Sequence, residues 1–217
     1  MRAHHRQEDC GARERGYALV ALLALMTVLM IMMMGAAPSI RQQVRRDVEL
    51  EAIARGEEVA EAIRMYRRIH PTQQWPNSMD ELLDGVAPAG RTKKVKVLRA
   101  SAARDPLSTS GEWRTVKVND PAFLRFVKDV TEYNEGRPPV ANPRGDPALN
   151  GVNLPSVTSL ITGLGGGSSD DDGGGEDTSL SSSGAFVGVV SRSKRDSIVT
   201  YYGIDRHNRW VFTPFYR

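Results

Sequence analysis

Residues Tyr17–Ala37 read YALVALLALMTVLMIMMMGAA, twenty-one residues without a charge and with Thr27 as the one polar side chain between its ends. At about 1.5 Å of rise per residue this run matches the roughly 30 Å hydrocarbon core of a bilayer. In lipid each backbone amide needs a partner within its own segment, so a spanning run of this kind must be helical. Its Met, Leu and Ala content points the same way. Three uses of such a helix compete. A cleaved secretory signal would use Gly35, Ala36 and Ala37 as its small residues, but Pro38 would then follow the cut and the apolar run is long for a signal. A plain single-pass anchor is the second. Arginines stand on both sides, Arg2, Arg6, Arg13 and Arg15 before it and Arg41, Arg45, Arg46 and Arg55 after it, so positive charge alone does not orient it.

The third use follows from the flanks. Arg15-Gly16 precedes the apolar run, the aromatic Tyr17 opens it, and Pro38 is the twenty-second residue counted from Tyr17. This pattern resembles the type IV pilin and type II secretion pseudopilin family. The resemblance implies cleavage after Gly16 by a prepilin peptidase, N-methylation of Tyr17 and a helix kinked at Pro38. It implies no cofactor. The implied partners are sister pilin or pseudopilin subunits, the prepilin peptidase, an inner-membrane assembly platform and membrane lipid. One departure is Ala21, which stands where the family usually carries Glu as the fifth mature residue. Without that carboxylate the resemblance leans towards a minor or tip subunit, or a divergent one, and away from a standard major subunit.

Past the membrane run, Ile40, Val44, Val48, Ala52, Val59, Ile63 and Tyr66 recur at helical spacing, with Arg41, Arg45, Arg46, Glu49, Glu51, Glu57, Glu58 and Glu61 between them. Glu51–Arg55 and Glu61–Arg64 are spaced to pair along the helix. Gly56 weakens it locally and Pro71 stops it, so one helix of roughly 80 Å is expected from Tyr17 to Ile69. Ser78-Met-Asp-Glu81 is a capping box ahead of Leu82 and Leu83, and Gly85 is a stop. The stretch Tyr66–Leu83, YRRIHPTQQWPNSMDELL, resembles the same family a second time, where a long helix ends near Tyr and Pro before a short "DELL" helix.

Lys93–Leu98 and Trp113–Val118 suit paired strands. The Asp105-Pro106 and Gly111-Glu112-Trp113 elements between them resemble a loop of the pseudopilin sheet. Some members of that family bind calcium near such loops; no matching ligand set is assigned from the sequence. Residues 119–154 are Pro-rich, with periodicity only over Phe123–Val130. Residues 156–184 are a Gly/Ser/Asp-rich run too polar to order itself. Its acidic residues, Asp170, Asp171, Asp172, Glu176 and Asp177, lack the spacing of a shaped calcium loop. From Ala185 three β-rich runs, AFVGVVS, SIVTYYG and RWVFTPF, suggest an antiparallel meander that pairs with the 93–118 strands.

The remaining composition excludes more than it assigns. Twenty-nine basic against 26 acidic residues leave a net charge of +3, with no aromatic-rich basic stripe, so nucleic acid is not an expected partner. Cys10 is the only cysteine and cannot build a disulfide within the chain. His4, His5, His70 and His207 show no metal spacing, His207 falling in an expected hairpin turn, and no nucleophile or phosphate-loop motif occurs. The expected protein is a structural subunit rather than an enzyme. Its fold is α+β and pilin-like, with one long N-terminal helix packed on a small antiparallel sheet. Residues 1–16 form the leader, 17–37 the transmembrane and assembly helix, and 38–70 the soluble half of the long helix. Residues 71–155 hold the short helix, first strands and a Pro-rich loop, 156–184 the flexible loop, and 185–217 the C-terminal strands. The expected location is the bacterial inner membrane, crossed once, with the C-terminal domain in the periplasm. The competing reading is a single-pass anchored periplasmic binding or sensor domain that does not polymerise.

Overall fold

The computed structural model describes residues 10–150, 152, 154 and 185–216, without the side chains of 10–15 and 34–39. Most of the expected leader and the whole of 156–184 lie outside that set. The chain divides into two compact units, Met1–Arg45 and Arg46–Arg217. Helix α1 belongs to both, running as α-helix from Cys10 to Ile69 and passing Pro38 without a break.

Within the second unit, Ala52, Val59, Ala60, Ala62, Ile63 and Tyr66 put one stripe of α1 into the core. Gly56 lies on that stripe for a packing reason. A Cβ there would meet the Phe212 ring at 2.3 Å, so only glycine lets the aromatic seat against the helix. The pairs expected along the polar face form, Arg55 to Glu51 at 2.7 Å and Arg64 to Glu61 at 3.1 Å. The helix stops at Ile69, two residues before Pro71, with Arg67 and Arg68 against the negative end of its dipole.

Helix α2, Met79–Asp84, starts where the capping box puts it. Ser78 Oγ accepts from the Glu81 N–H at 3.3 Å, while the Glu81 carboxylate reaches back one residue further than expected, to the Asn77 N–H at 2.9 Å. Tyr66 also donates to Glu81 at 3.1 Å, and this bond ties the end of α1 to α2.

The Pro-rich region is less irregular than its composition suggests. Helix α3 spans Pro121–Tyr133: Asp120 caps it by accepting from the Ala122 N–H at 2.8 Å, and Pro121 takes the first helical position. Phe123, Phe126, Val127 and Val130 form its buried face. The periodicity noted over Phe123–Val130 is therefore the visible part of a longer helix.

The architecture is α+β, with two small antiparallel sheets. The first has the order β1 (Arg114–Val116), β2 (Gly188–Val190), β5 (Val211–Phe212). Thr115 lies opposite Val189, and Val189 opposite Phe212. The second is the hairpin β3 (Asp196–Tyr201) with β4 (Ile204–Arg206), turned through Tyr202 and Gly203 at φ of 51° and 74°.

Two expectations about the strands are corrected. Lys93–Leu98 does not form a hairpin with Trp113–Val118. Among the described residues its only ladder contact is a single bridge between Val95 and Val86, while β1 pairs with β2 instead. The C-terminal runs are not a three-stranded meander either, because β2 pairs with β1 and β5 while β3 pairs with a strand inside the expected IDRHN turn. Burial explains both. All three residues of β2 are buried, so the backbone groups on both its edges need partners, which β1 and β5 supply, whereas β3 alternates exposed and half-buried positions and 93–98 carries three lysines.

Candidate functional site

Residues Gly16–Met33 of α1 are long and apolar enough to cross a membrane. Every described side chain in that stretch is exposed within this chain, including Tyr17, Leu19, Val20, Leu22, Leu25, Val28, Leu29 and Ile31. Thr27 satisfies its hydroxyl inside the helix, donating to the Ala24 carbonyl at 2.8 Å, so it leaves no unmet polar demand in an apolar surrounding. An exposed, chargeless helix of this length is costly in water. It is favoured in an apolar surrounding.

The residues singled out from sequence all lie on α1. Gly16 and Tyr17 are within continuous helix, and Tyr17 is 79 % exposed. A Cβ on Gly16 would meet nothing within 4 Å, so no packing among the described residues asks for glycine there. Ala21 is exposed, one helical turn beyond Tyr17 on the same face. Pro38 is held in helix, and its side chain lies outside the described residues. Further on, Ile40 and Val44 are exposed by 60 % and 55 %, so the apolar stripe of α1 is covered within the chain only from Ala52 onward.

A second constellation was not foreseen. Glu49, on the expected polar face, is fully buried, and so is His207, in the expected hairpin turn. One Glu49 oxygen accepts from the backbone N–H groups of Ile198 and Val199, both at 2.8 Å, and the other lies 3.2 Å from His207 Nε2. His207 Nδ1 lies 3.1 Å from Ser193 Oγ. The Ser193 N–H donates to Ser191 Oγ at 3.1 Å, and Ser191 donates to Asp105 at 2.7 Å. Asp105 in turn closes its own loop, accepting from the Leu107 N–H at 2.9 Å.

This chain of bonds joins α1 to the bulged start of β3, to the 3₁₀ turn at His207–Arg209 and to the loop at Asp105. The order carboxylate, imidazole, hydroxyl is that of a nucleophile triad. The arrangement fixes the hairpin to the helix. A sequence signal for Glu49 exists in retrospect: it continues the small-residue stripe Ala52, Gly56, Ala60 by one helical step, a buried position where a carboxylate is costly unless the fold supplies partners.

Near the end of α1, Arg67 stacks over Trp75 at 4.2 Å, and Trp75 meets Phe215 edge-on. Burial and the neighbouring Glu81 carboxylate push the Tyr66 hydroxyl up to about 12, so it stays a donor at ordinary pH. Among the described residues no group of three or more His, Cys, Asp and Glu side chains is placed to hold a metal ion. The acidic run from Asp170 to Asp177 lies outside them. Comparison of the chain with protein-family models, with curated proteins and with solved structures gave no match.

Proposed function

We propose that this chain is a pilin-like structural subunit, a pseudopilin or minor pilin, that is cut after Gly16 and assembles through the apolar part of α1. What carries the reading is the division of labour along one unbroken helix. Residues 16–33 expose only apolar and small side chains, whereas 49–66 supply the core stripe of an α+β domain. A helix used both ways suits a subunit that is stored in lipid and then exchanges lipid for the helices of sister subunits. Gly16 supports it further. Glycine inside a helix costs about 1 kcal/mol relative to alanine, and nothing among the described residues needs the space, so a requirement outside the fold accounts for it, as peptidase recognition would. In this reading Tyr17 becomes the mature amino terminus and the α+β domain faces the periplasm.

Ala21 favours one alternative. It cannot neutralise the amino terminus of a neighbour, which suits either a minor or tip position or an anchored domain that never polymerises. Intact mass and amino-terminal sequencing of the protein from its native membrane test the proposal. A chain beginning at N-methylated Tyr17 is the expected result. A chain beginning at Met1 would leave the anchored binding or sensor domain as the better account, and one beginning near Pro38 would make it a secreted protein.

A further inference from the structure

Residues Arg91–Arg99, RTKKVKVLR, carry five cations and no acid. Arg99 is engaged by Glu58 through both carboxylate oxygens. Arg91, Lys93, Lys94 and Lys96 are exposed and make no ion pair among the described residues. Like charges this close repel one another and gain nothing from the fold.

The same segment lies outside both sheets and is extended chain held by one isolated bridge. Val95 exchanges both backbone hydrogen bonds with Val86, at 2.8 and 3.0 Å, and the segment can lie this close because Gly85 has no side chain: a Cβ there would sit 2.4 Å from the Val95 carbonyl oxygen. Among the described residues, no other backbone group from Lys93 to Val97 makes a backbone hydrogen bond. In an antiparallel pair the N–H and C=O groups of successive residues point to opposite sides, so with Val95 turned to Val86 the groups of Lys94 and Lys96 are the ones free for a strand on the other side. An open groove of about 540 Å³ lies between the end of α2 at Leu83 and Asp84 and the stretch Lys96, Val97 and Leu98. Val95 itself is 43 % exposed.

We infer that Arg91–Arg99 is a docking edge for an extended, acidic peptide segment of a partner protein, added as a strand against Lys94–Lys96. Backbone bonds would supply affinity, the lysines would select carboxylates, and Val95 and Val97 would receive alternate apolar side chains. Charge picks the class of occupant, and the absence of any aromatic residue from Arg91 to Arg99 sets it apart from a single-stranded nucleic-acid platform, which stacks bases. With only Val95 as an exposed apolar residue in the segment, it also lacks the apolar face of a membrane-surface element. The inference stands apart from the filament reading and holds for an anchored domain as well.

The test is fluorescence anisotropy on the full chain in detergent micelles, with a labelled peptide of about eight residues alternating Asp or Glu with Val. Saturable binding is expected, weakened about tenfold by Lys94→Glu/Lys96→Glu and less by Lys94→Gln/Lys96→Gln. Methylating alternate peptide amides should cost a similar factor, because it removes ladder donors without touching charge. Both variants should melt at the wild-type temperature, since the two lysines are exposed. Lack of saturable binding would mean that the lysines only guard the edge against unwanted pairing. Indifference to amide methylation or to the double substitution would also overturn the inference. So would tighter binding of phosphatidylglycerol vesicles or single-stranded DNA through the same lysines.

Discussion

Gly16 and Gly56 sit on one helix and are identical in side chain, yet their surroundings ask different things of them. Gly56→Ala drives a methyl into the Phe212 ring at 2.3 Å, so about 1–3 kcal/mol of stability should be lost in urea unfolding. Gly16→Ala meets nothing, so the same assay should show no loss, while peptidase processing in the native host should fail. At Glu49 the fold has buried a carboxylate and then supplied its partners. Glu49→Ala strands two backbone N–H groups and His207, and a cost of about 3–5 kcal/mol is expected in the same unfolding assay. Asp146 gives a pH signature. Burial would raise its carboxyl, but the Ala148 N–H and the Arg68 guanidinium outweigh that and hold it below the usual carboxylate range. A folded-state value below the unfolded one means stability that is complete above the unfolded value of about 3.9 and lost as pH falls through the folded one. Unfolding curves taken between neutral pH and strongly acid pH should therefore be flatter for Asp146→Asn, with the variant weaker at neutral pH by about 1–2 kcal/mol.

At the scale of the element, local signals decided where helices begin and end, and burial decided which strands met. Helix α2 starts at its capping box and α1 stops just before Pro71, because these are contacts among residues a few positions apart. Helix α3 follows the same logic, and its Asp120 cap and Pro121 were legible in the sequence had the Pro-rich composition around them not masked the signal. Asp120→Ala should cost about 1 kcal/mol in thermal or urea unfolding, with the helical circular dichroism signal otherwise retained. Strand pairing was not legible in the same way. β1 finds its partner more than seventy residues on, at Val190 opposite Arg114, and no short-range rule chooses that over the nearer Lys93–Leu98. What chooses it is the need to pair the buried backbone groups of Gly188–Val190 on both edges.

For the whole molecule, the apolar half of α1 is the feature that folding of the single chain leaves unsatisfied. The proposed filament reading makes a specific demand at Ala21. If the missing carboxylate limits incorporation, Ala21→Glu should raise the share of the protein recovered in sheared or purified filaments, several-fold rather than marginally. An unchanged share, with unchanged processing, would remove the main reason for assigning a minor position. The exposed Ile40 and Val44 extend the same demand beyond the membrane run, since neither is covered by its own chain. The basic edge at Lys94–Lys96 belongs to the folded domain and is a separate claim on a separate partner.

The sequence by itself determined the membrane-length helix, its continuation to Ile69, the capped turn at Ser78 and the α+β class. Each rests on periodicity or on contacts within a few residues, where the chain has little choice. Only the tertiary structure decided the order β1-β2-β5, the separate β3–β4 hairpin, the reason for Gly56 and the burial of Glu49 with His207. Those depend on which distant surfaces cover each other, and a glutamate on a helix reads as solvent-facing until something 149 residues away brings two N–H groups to meet it.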